Sequence, residues 1–401
     1  MPLLSVAEAL RRILAAVEPM PAELIGIEAA HGRILATGLI ARLTQPPFDA
    51  SAMDGYAVRS ADLADLPTTL AVIGEAAAGH PFGGSLGPGQ AVRIFTGAPV
   101  PAGSDAIVIQ EQAERDGGTV RIRNGDVDRS HIRHRGLDFS AGTPLLDAGR
   151  RLGPREMALA AAMGYGEVSV RRRPRLAVLS TGDELVAPGT TPGVGQIVSS
   201  NHLGVAAMAE AAGAAVEFLG IARDLPDSLA AHFAKAGEVD VLLTIGGASV
   251  GDHDLVAPVL KAQGMVLSFW KIAMRPGKPL MFGALGRTRI LGLPGNPVSA
   301  LVCTRLFVVP LLRALLGVPP QEAVEANART TVPLEANGPR EHYMRAIQQP
   351  GPDGVALVTP VRSQDSSLLS PLAEADCLLV RPAAAPAVPI SGLVPILPLD
   401  F

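Results

Sequence analysis

Apolar and polar residues alternate in two different ways along the chain. Near the N-terminus, Ser5 and Glu8 form a capping pattern followed by apolar residues at helical spacing, which predicts an amphipathic first helix that ends before Pro19. Between about residues 40 and 140, short apolar runs are separated by clusters of glycine and proline. Short apolar runs separated by such clusters are typical of strands joined by turns, and they predict a β-rich region.

From residue 176 onward, apolar runs that predict strands alternate with longer amphipathic segments. Strands are predicted at 176–179, 216–219 and 239–245, with helices at 201–212 and 226–236 between them. The pattern continues with a helix at 254–263, short strands near residues 267, 280 and 290, and a helix from residue 298. This alternation predicts a mostly parallel sheet covered by helices on both faces.

Beyond about residue 325 only short β-type runs remain, so the predicted fold class is a multidomain α/β and β protein. A three-layer α/β domain with a mostly parallel sheet is accompanied by β-rich domains and a small C-terminal domain resembling a β-barrel. The predicted division is a helical or linking domain at 1–40 and 141–174, a β-rich domain at 41–140, an α/β domain at 175–325 and a terminal β-domain at 326–401.

The charge balance narrows the range of partners. With 34 Lys and Arg against 38 Asp and Glu, the net charge of -4 disfavours a nucleic-acid coat or a polybasic membrane binder. The charge-free stretch 382–399 contains five prolines and predicts no membrane-spanning helix. Glu8 and Arg11 lie where a signal peptide needs an apolar core, so a cytoplasmic location is predicted.

Cys303 and Cys377 lie in apolar runs and are predicted to be buried free thiols.

Acidic residues follow the predicted strands of the α/β region. In open α/β sheets, ligands bind beyond the carboxyl ends of the strands, so these turns are the first candidates for a site. Asp183 and Glu184 follow the first strand, Asp224 follows the second, and Asp254 lies after the third. Taken alone, Asp183 and Asp224 are better explained as a turn residue and a helix cap, and capping of the next helix is the alternative explanation for Asp254. Taken together, Glu184, Asp224 and Asp254 predict a Mg²⁺ site facing a phosphorylated substrate.

Two further turns predict binding of an anion. Gly246, Gly247 and Ser249 lie in a glycine-rich turn that leads into a helix, an arrangement whose N–H groups can converge on a phosphate. Arg275 and Lys278 lie in an Arg-Pro-Gly-Lys-Pro loop that holds two cations rigidly.

The remaining polar signals are weaker. Asn296 and Ser299 occupy a strand-to-helix turn, where helix capping is the alternative explanation. His131 and His134 are three positions apart on an extended segment, which places them on opposite faces and disfavours a zinc site. The Walker motif of P-loop nucleotide-binding proteins is absent from the sequence, and no GxGxxG motif of dinucleotide-binding proteins follows a predicted strand.

One segment is specific enough to indicate a family. Residues 46–57 read Pro-Pro-Phe-Asp-Ala-Ser-Ala-Met-Asp-Gly-Tyr-Ala and resemble the SAMDGYA signature of the molybdopterin molybdenumtransferases, the family that includes the C-terminal part of gephyrin. The resemblance also covers 93–101 (RIFTGAPVP), the TGDEL turn, the GGASVGDHD and RPGKP loops and LPGNPVSA, and so extends over essentially the whole chain.

The resemblance implies a reaction and an assembly. Adenylylated molybdopterin and molybdate would give molybdenum cofactor and AMP with Mg²⁺, in an elongated homodimer whose site lies between the α/β domain of one subunit and the SAMDGYA domain of the other. It leaves room for partners among other cofactor-biosynthesis or molybdoenzyme-maturation proteins. By matching motif, the implied catalytic residues are Asp54, Asp138, Glu184, Asp224 and Asp254. The predicted substrate-binding residues are Thr96, Gly246, Gly247, Ser249, Arg275, Lys278, Asn296, Ser299, Arg345 and Ser366, of which Arg275, Lys278, Ser299, Arg345 and Ser366 match positions associated with molybdate.

The sequence departs from the family pattern at a few places and leaves two other functions open. Arg275 replaces the usual lysine of a KPGKP loop, and Ala50 stands where asparagine is common. A related adenylyltransferase of molybdopterin shares the glycine-rich loop type, but the complete SAMDGYA region disfavours it. A non-catalytic scaffold of the gephyrin kind would need added interaction segments that this sequence does not show.

Overall fold

The computed structural model describes residues 3–123, 131–247, 255–319, 326–352 and 354–399. By their internal contacts, the residues form two units. Unit 1 comprises Met1–Glu23, Gly32–Ala36 and Val170–Phe401, and unit 2 comprises Leu24–His31 and Thr37–Ser169. The finer division into four domains stays a prediction.

The helices and strands are numbered in chain order. The α-helices are α1 Val6–Leu14, α2 Pro154–Ala162, α3 Asn201–Ala211, α4 Pro226–Lys235, α5 Val256–Ala262, α6 Pro297–Cys303, α7 Val309–Leu315 and α8 Ser370–Glu374. The strands as far as residue 171 are β1 Ala22–Gly26, β2 Leu39–Ile40, β3 Ala50–Ser51, β4 Gly55–Val58, β5 Thr68–Ala76, β6 Gln90–Ile94, β7 Ala106–Ile109, β8 Ala113–Asp116, β9 Thr119–Ile122, β10 Ile132–Arg133, β11 Pro144–Leu146 and β12 Glu167–Arg171. The later strands are β13 Arg175–Thr181, β14 Leu185–Val186, β15 Ile197–Val198, β16 Ala215–Ala222, β17 Val241–Ile245, β18 Val266–Trp270, β19 Met274–Arg275, β20 Met281–Leu285, β21 Thr288–Leu293, β22 Ala326–Thr330, β23 Glu341–Gln349, β24 Leu357–Pro360, β25 Cys377–Arg381 and β26 Leu393–Pro398.

The first helix begins as its capping pattern predicts. The Ser5 hydroxyl accepts a hydrogen bond of 3.2 Å from the backbone N–H of Glu8, which satisfies one of the donors left free at a helix start. The buried side chains of α1 include Ala9 and Ile13, one helical turn apart. The amphipathic helix is therefore confirmed, and it ends at Leu14.

A six-stranded sheet lies at the centre of unit 1, in the order β16-β13-β17-β21-β20-β18. Strand β13 pairs in parallel with β16 and β17, and β17 pairs in parallel with β21, so the predicted parallel core is confirmed. Strand β20 is antiparallel to both of its neighbours. The antiparallel edge arises because β20 and β21 are joined by a two-residue turn containing Gly286 at φ +58°, a connection too short for a parallel crossover.

The two faces of this sheet have separate cores. Leu176 and Val178 of β13 face a cluster built with α1, α3, α6 and α7, whereas Ala177 and Leu179 face a cluster built with α4 and α5. Because successive residues of a strand point to opposite faces, an unbroken apolar strand requires cover on both sides. The predicted three-layer arrangement is confirmed.

The C-terminal strands close into a barrel. Strand β23 pairs with β24 and β25, β26 pairs with β25 and β22, and β22 pairs with β24, which completes a ring of five strands. The short strand β19 joins this ring by pairing in parallel with β23, with Arg275 opposite His342. The barrel is thereby tied to the segment that carries the predicted cation loop.

Unit 2 contains a second six-stranded sheet, in the order β7-β4-β6-β5-β9-β8. Its inner strand β4, next to the edge strand β7, begins at Gly55 of the SAMDGYA segment and is buried along its whole length. Gly55 is required there because a Cβ atom would overlap the backbone carbonyl of Val108 on β7. The signature residues before Gly55 therefore lie at the start of a buried inner strand.

One segment is apolar enough to cross a membrane by length and composition. It runs from Pro297 to Leu315, as α6, a π-helical turn at Thr304–Val308 and α7, and 61% of its most apolar window is buried inside the protein. Phe307, Leu311 and Leu312 have no exposed surface and belong to the core of the central sheet. The absence of a membrane-spanning helix stays a prediction, and the apolar character of this segment serves the core described here.

Candidate active site

A cavity of about 1170 Å³ lies at the carboxyl ends of the parallel strands of unit 1. Turns that follow β13, β16, β17 and β21 form one side of it, and residues 364–367 and 369 form part of another. The residues predicted for a site that line this cavity are Glu184, Asp224, Gly246, Gly247, Arg275, Lys278, Asn296, Ser299 and Ser366. The expectation that these turns lie together is thus confirmed by the geometry, while the chemical role of each residue stays a prediction.

The first two acidic turns are joined to each other. The backbone N–H of Asp224 donates to Oδ1 of Asp183 at 3.3 Å, which ties the turn after β16 to the turn after β13. Gly182 adopts φ +151°, and the carboxylate of Glu184 folds back over it, so a side chain at this position would collide with that carboxylate. Asp183 therefore positions the turns, and Glu184 and Asp224 face the cavity.

The glycine turn after β17 is only partly free to bind an anion. Gly246 and Gly247 have φ of +93° and +59°, the left-handed conformation that favours glycine. The N–H of Gly246 donates to the carbonyl of Leu293 at 3.1 Å, so it is used by the fold and is not free for a ligand. Ser249 and Asp254, predicted for the same loop, lie outside the described residues.

Three cationic side chains line the cavity. Arg275 and Lys278 come from the predicted loop, and Arg340, which the sequence analysis did not identify, comes from the residue just before β23. None of the ion pairs among the described residues involves any of the three. Asn337 fixes the backbone at Arg340 by donating from Nδ2 to its carbonyl at 2.9 Å. Fixed cations without carboxylate partners are suited to binding an anion.

Arg345 is placed behind the cavity and does not line it. Its side chain is 1% exposed and donates to the carbonyls of Ser363, Asp365 and Leu368 at 2.9 to 3.0 Å. The surrounding residues of this loop, including Ser366, line the cavity. In this geometry Arg345 acts by holding the 363–369 loop, and the structure gives it no direct access to a ligand.

Asn296 makes a long-range contact instead of the helix cap considered from the sequence. Its Nδ2 donates to the hydroxyl of Ser366 at 2.8 Å, and no side-chain cap bond is formed at the start of α6. The backbone N–H of Val298 donates to the carbonyl of Ser366 at 3.1 Å. Asn296 and Ser366 thus join the strand-to-helix turn to the 363–369 loop, beside the buried Ser299.

In unit 2, Asp54 and Thr96 form a closely bonded pair. The backbone N–H and the hydroxyl of Thr96 donate to Oδ1 of Asp54 at 2.8 and 2.7 Å. These two bonds, and then the positive charge of Arg93, hold the pKa of Asp54 below its ordinary value. Asp54 is therefore kept as a carboxylate.

The turn that carries Asp138 is anchored separately within unit 2. Its backbone N–H donates to the carbonyl of Gln45 at 3.0 Å, and its side chain is exposed. Asp49 holds the preceding residues by accepting from the N–H of Arg135 at 2.7 Å and by contacting His134 Nδ1 at 3.1 Å. The imidazole of His134 is thus engaged with the carboxylate of Asp49.

The donor set for a metal is limited in the described part of the chain. No group of three or more His, Cys, Asp or Glu residues there is placed to hold a metal ion. Glu184 and Asp224 line one cavity, whereas the third predicted ligand, Asp254, lies outside the described residues. Two carboxylates fit Mg²⁺ when substrate phosphates and water complete its shell, which is the usual way in which proteins bind this ion.

Three regional family profiles match the chain. Residues 4–164 match the MoeA N-terminal region (domain I and II), residues 177–314 match a probable molybdopterin binding domain, and residues 327–391 match the MoeA C-terminal region (domain IV). Together these profiles cover most of the sequence.

Curated relatives and solved structures agree with the profiles. A molybdopterin molybdenumtransferase of Nostoc is 40% identical over 80% of this chain and 76% of its own length, and one of Haemophilus influenzae is 38% identical over 90% of each. A molybdopterin biosynthesis moeA protein from Pyrococcus horikoshii superposes with a TM-score of 0.84 at 31% identity, covering 100% of both chains. The chain therefore belongs to the molybdopterin molybdenumtransferase family, whose role lies in the biosynthesis of molybdenum cofactor.

Proposed function

We propose that the cavity of unit 1 binds adenylylated molybdopterin and molybdate, and that the enzyme forms molybdenum cofactor with release of AMP. The observation that carries this proposal is the presence of three cations without ion-pair partners among the described residues, Arg275, Lys278 and Arg340, in one cavity with two carboxylates. Both proposed substrates are anionic, and phosphate and molybdate oxygens are strong hydrogen-bond acceptors. The family's reaction is in keeping with such a cavity.

Each group of residues has a proposed task. Lys278 and Arg275 hold molybdate, with Ser299 and Ser366 as hydroxyl donors beside them. Arg345 supports this arrangement because it fixes the loop on which Ser366 lies. The Arg at position 275 offers a fork of donors in place of a point charge, so it retains anion binding with a different geometry.

Mg²⁺ is proposed as the cofactor, held by Glu184 and Asp224 together with Asp254. When bound, the ion would neutralise charge on the phosphates of the substrate. The two described carboxylates would otherwise face those phosphates at the same sheet edge and repel them. Single changes Glu184→Gln and Asp224→Asn should each raise the Mg²⁺ concentration needed for AMP release, and full activity in a chelator would rule out the magnesium proposal.

Asp54 is proposed as a catalytic carboxylate, and the family resemblance implies that it serves the cavity of a partner subunit in a homodimer. Co-expression of an Asp54→Asn chain with a Lys278→Ala chain tests this arrangement. In a mixed dimer, one site would carry both defects and the other would carry neither, so activity should be partly restored. Activity no higher than that of either single variant would contradict the shared site.

A cytoplasmic location is also proposed, in keeping with the N-terminal helix α1, whose apolar residues Val6, Ala9 and Ile13 are buried in unit 1.

The direct test of the enzymatic proposal uses purified protein with adenylylated molybdopterin, molybdate and Mg²⁺. Mass spectrometry should detect AMP together with the molybdenum-loaded pterin. Release of AMP without formation of that product would contradict the proposed reaction.

A further inference from the structure

The hydroxyl of Thr181 is buried at the cavity without a hydrogen-bond partner. Thr181 is the last residue of β13, is 3% exposed and lines the cavity. Its Oγ1 has no partner among the described residues. A buried hydroxyl that makes no hydrogen bond loses its interactions with water without replacement, so such a group in a native fold calls for a physical reason.

The residues around Thr181 leave room beside its hydroxyl, and few other free hydrogen-bond donors lie near it. A Cβ atom at Gly246 or Gly247 would come within 3.1 or 3.0 Å of Thr181 Oγ1, so the two glycines make room for it. The N–H of Gly246 is bonded to Leu293, and the N–H of Gly182 is bonded to the carbonyl of Ala222 at 3.2 Å. Two of the three glycine donors around Thr181 are therefore already used by the fold, while its hydroxyl is not.

We propose that Thr181 is a substrate-binding residue whose hydroxyl donates a hydrogen bond to a phosphate oxygen of the nucleotide part of the substrate. This inference rests on the proposed use of the cavity as the substrate site. The cations attract an anion into the cavity from a distance. The hydroxyl of Thr181 fixes the position of the phosphate oxygen, because its hydrogen bond forms only when an acceptor lies at the end of β13. The unsatisfied oxygen of the free protein is then satisfied in the complex.

The chain offers a matched control in Thr244. This residue lies on the neighbouring strand β17, is fully buried and also has a hydroxyl without a partner among the described residues. It does not line the cavity. Valine has the shape of threonine and the same preference for strands, so Thr181→Val and Thr244→Val each remove a hydroxyl with little change in packing.

The experiment measures binding of AMP with Mg²⁺ by isothermal titration calorimetry, together with the melting temperature of each variant. Thr181→Val should bind AMP about ten-fold more weakly, with a melting temperature equal to or above that of the wild type. Thr181→Ser should keep the affinity because it keeps the hydroxyl, and Thr244→Val should bind AMP as the wild type does.

The possible failures are distinguishable. If Thr181→Val binds AMP normally while Glu184→Gln weakens binding of AMP with Mg²⁺, the role of Thr181 is overturned and the cavity remains the proposed site. If neither change affects binding, the proposed function of the cavity fails as well. If Thr181→Val lowers the melting temperature and leaves AMP affinity intact, the hydroxyl has a structural role and the inference is wrong.

Discussion

Asp54 receives two hydrogen bonds from a single residue, Thr96, through its backbone N–H and its hydroxyl. The two residues are far apart in sequence, and the pairing of β4 with β6 brings their strands together. Asp54 and Thr96 belong to the two motifs of this region that resemble the family, SAMDGYA and RIFTGAPVP. Through this contact, the two motifs together hold the side chain of Asp54 ionised and in place.

Changing Thr96 should therefore alter the titration of Asp54. In Thr96→Val the backbone bond remains and the hydroxyl bond is lost, so the pKa of Asp54 should rise toward its ordinary value. If Asp54 acts as a carboxylate, the acid limb of the activity profile should move to higher pH by the same amount. The measurement is a ¹³C NMR titration of Asp54 beside a pH–rate profile. Thr96→Ser keeps both donors and serves as the control; an unshifted titration in Thr96→Val would contradict this account.

The sequence pattern was sufficient for those features that depend on local spacing. The cap at Ser5, the alternation of strands and helices from residue 176, and the gathering of turns at one sheet edge all follow from neighbouring residues and from the geometry of parallel sheets. The same reasoning missed the antiparallel edge of the sheet, because short apolar runs do not reveal strand direction.

The sequence could not separate residues that line the cavity from residues that support it. Arg340 and Arg345 lie on the same short segment, yet one faces the cavity and the other is buried behind it. The sequence offered helix capping as the alternative explanation for Asn296. It could not show the actual partner, Ser366, which is distant in sequence and belongs to a loop held by the barrel. An arginine just after the Asn-Gly-Pro turn at 337–339 is a signal that could have indicated Arg340.

Replacement of Arg345 should destabilise unit 1. Arg345→Met removes the donors to three loop carbonyls and should lower the free energy of unfolding by at least about 2 kcal/mol. The 363–369 loop should also become a site of cleavage in limited proteolysis. Arg362→Met changes an exposed arginine next to the loop and should do neither. Equal unfolding midpoints in urea for Arg345→Met and the wild type would show that the loop does not depend on this side chain.

His342 should make stability depend on pH. Burial, followed by the charges of Arg275, Arg340, Arg345 and Arg381, lowers the pKa of His342 to about 4. In the unfolded chain the pKa of histidine is about 6.5, so between these values the unfolded state binds more protons. The free energy of unfolding should therefore fall as the pH is lowered from about 6.5, and the contribution of His342 should be lost below about 4.

The variant His342→Gln isolates this contribution. Urea unfolding at pH 7 and at pH 5.5 should show a smaller loss of stability for His342→Gln than for the wild type. Arg275 and Arg340 also line the cavity, so molybdate bound there should raise the pKa of His342 in an NMR titration, because a nearby anion favours the imidazolium. If the free energy of unfolding depends on pH identically in the variant and the wild type, His342 does not cause the pH dependence.

The most direct measurement of the central claim is a molybdate titration of AMP release from adenylylated molybdopterin. Charge-assisted hydrogen bonds contribute about 1.5–3 kcal/mol each, so Lys278→Ala should raise the half-saturating molybdate concentration by about ten- to a hundred-fold. Arg275→Lys, which keeps the charge, should raise it far less, and Lys261→Ala, on the exposed face of α5, should leave it unchanged. A titration curve for Lys278→Ala that coincides with that of the wild type would contradict the assignment of this cavity as the place where molybdate is bound.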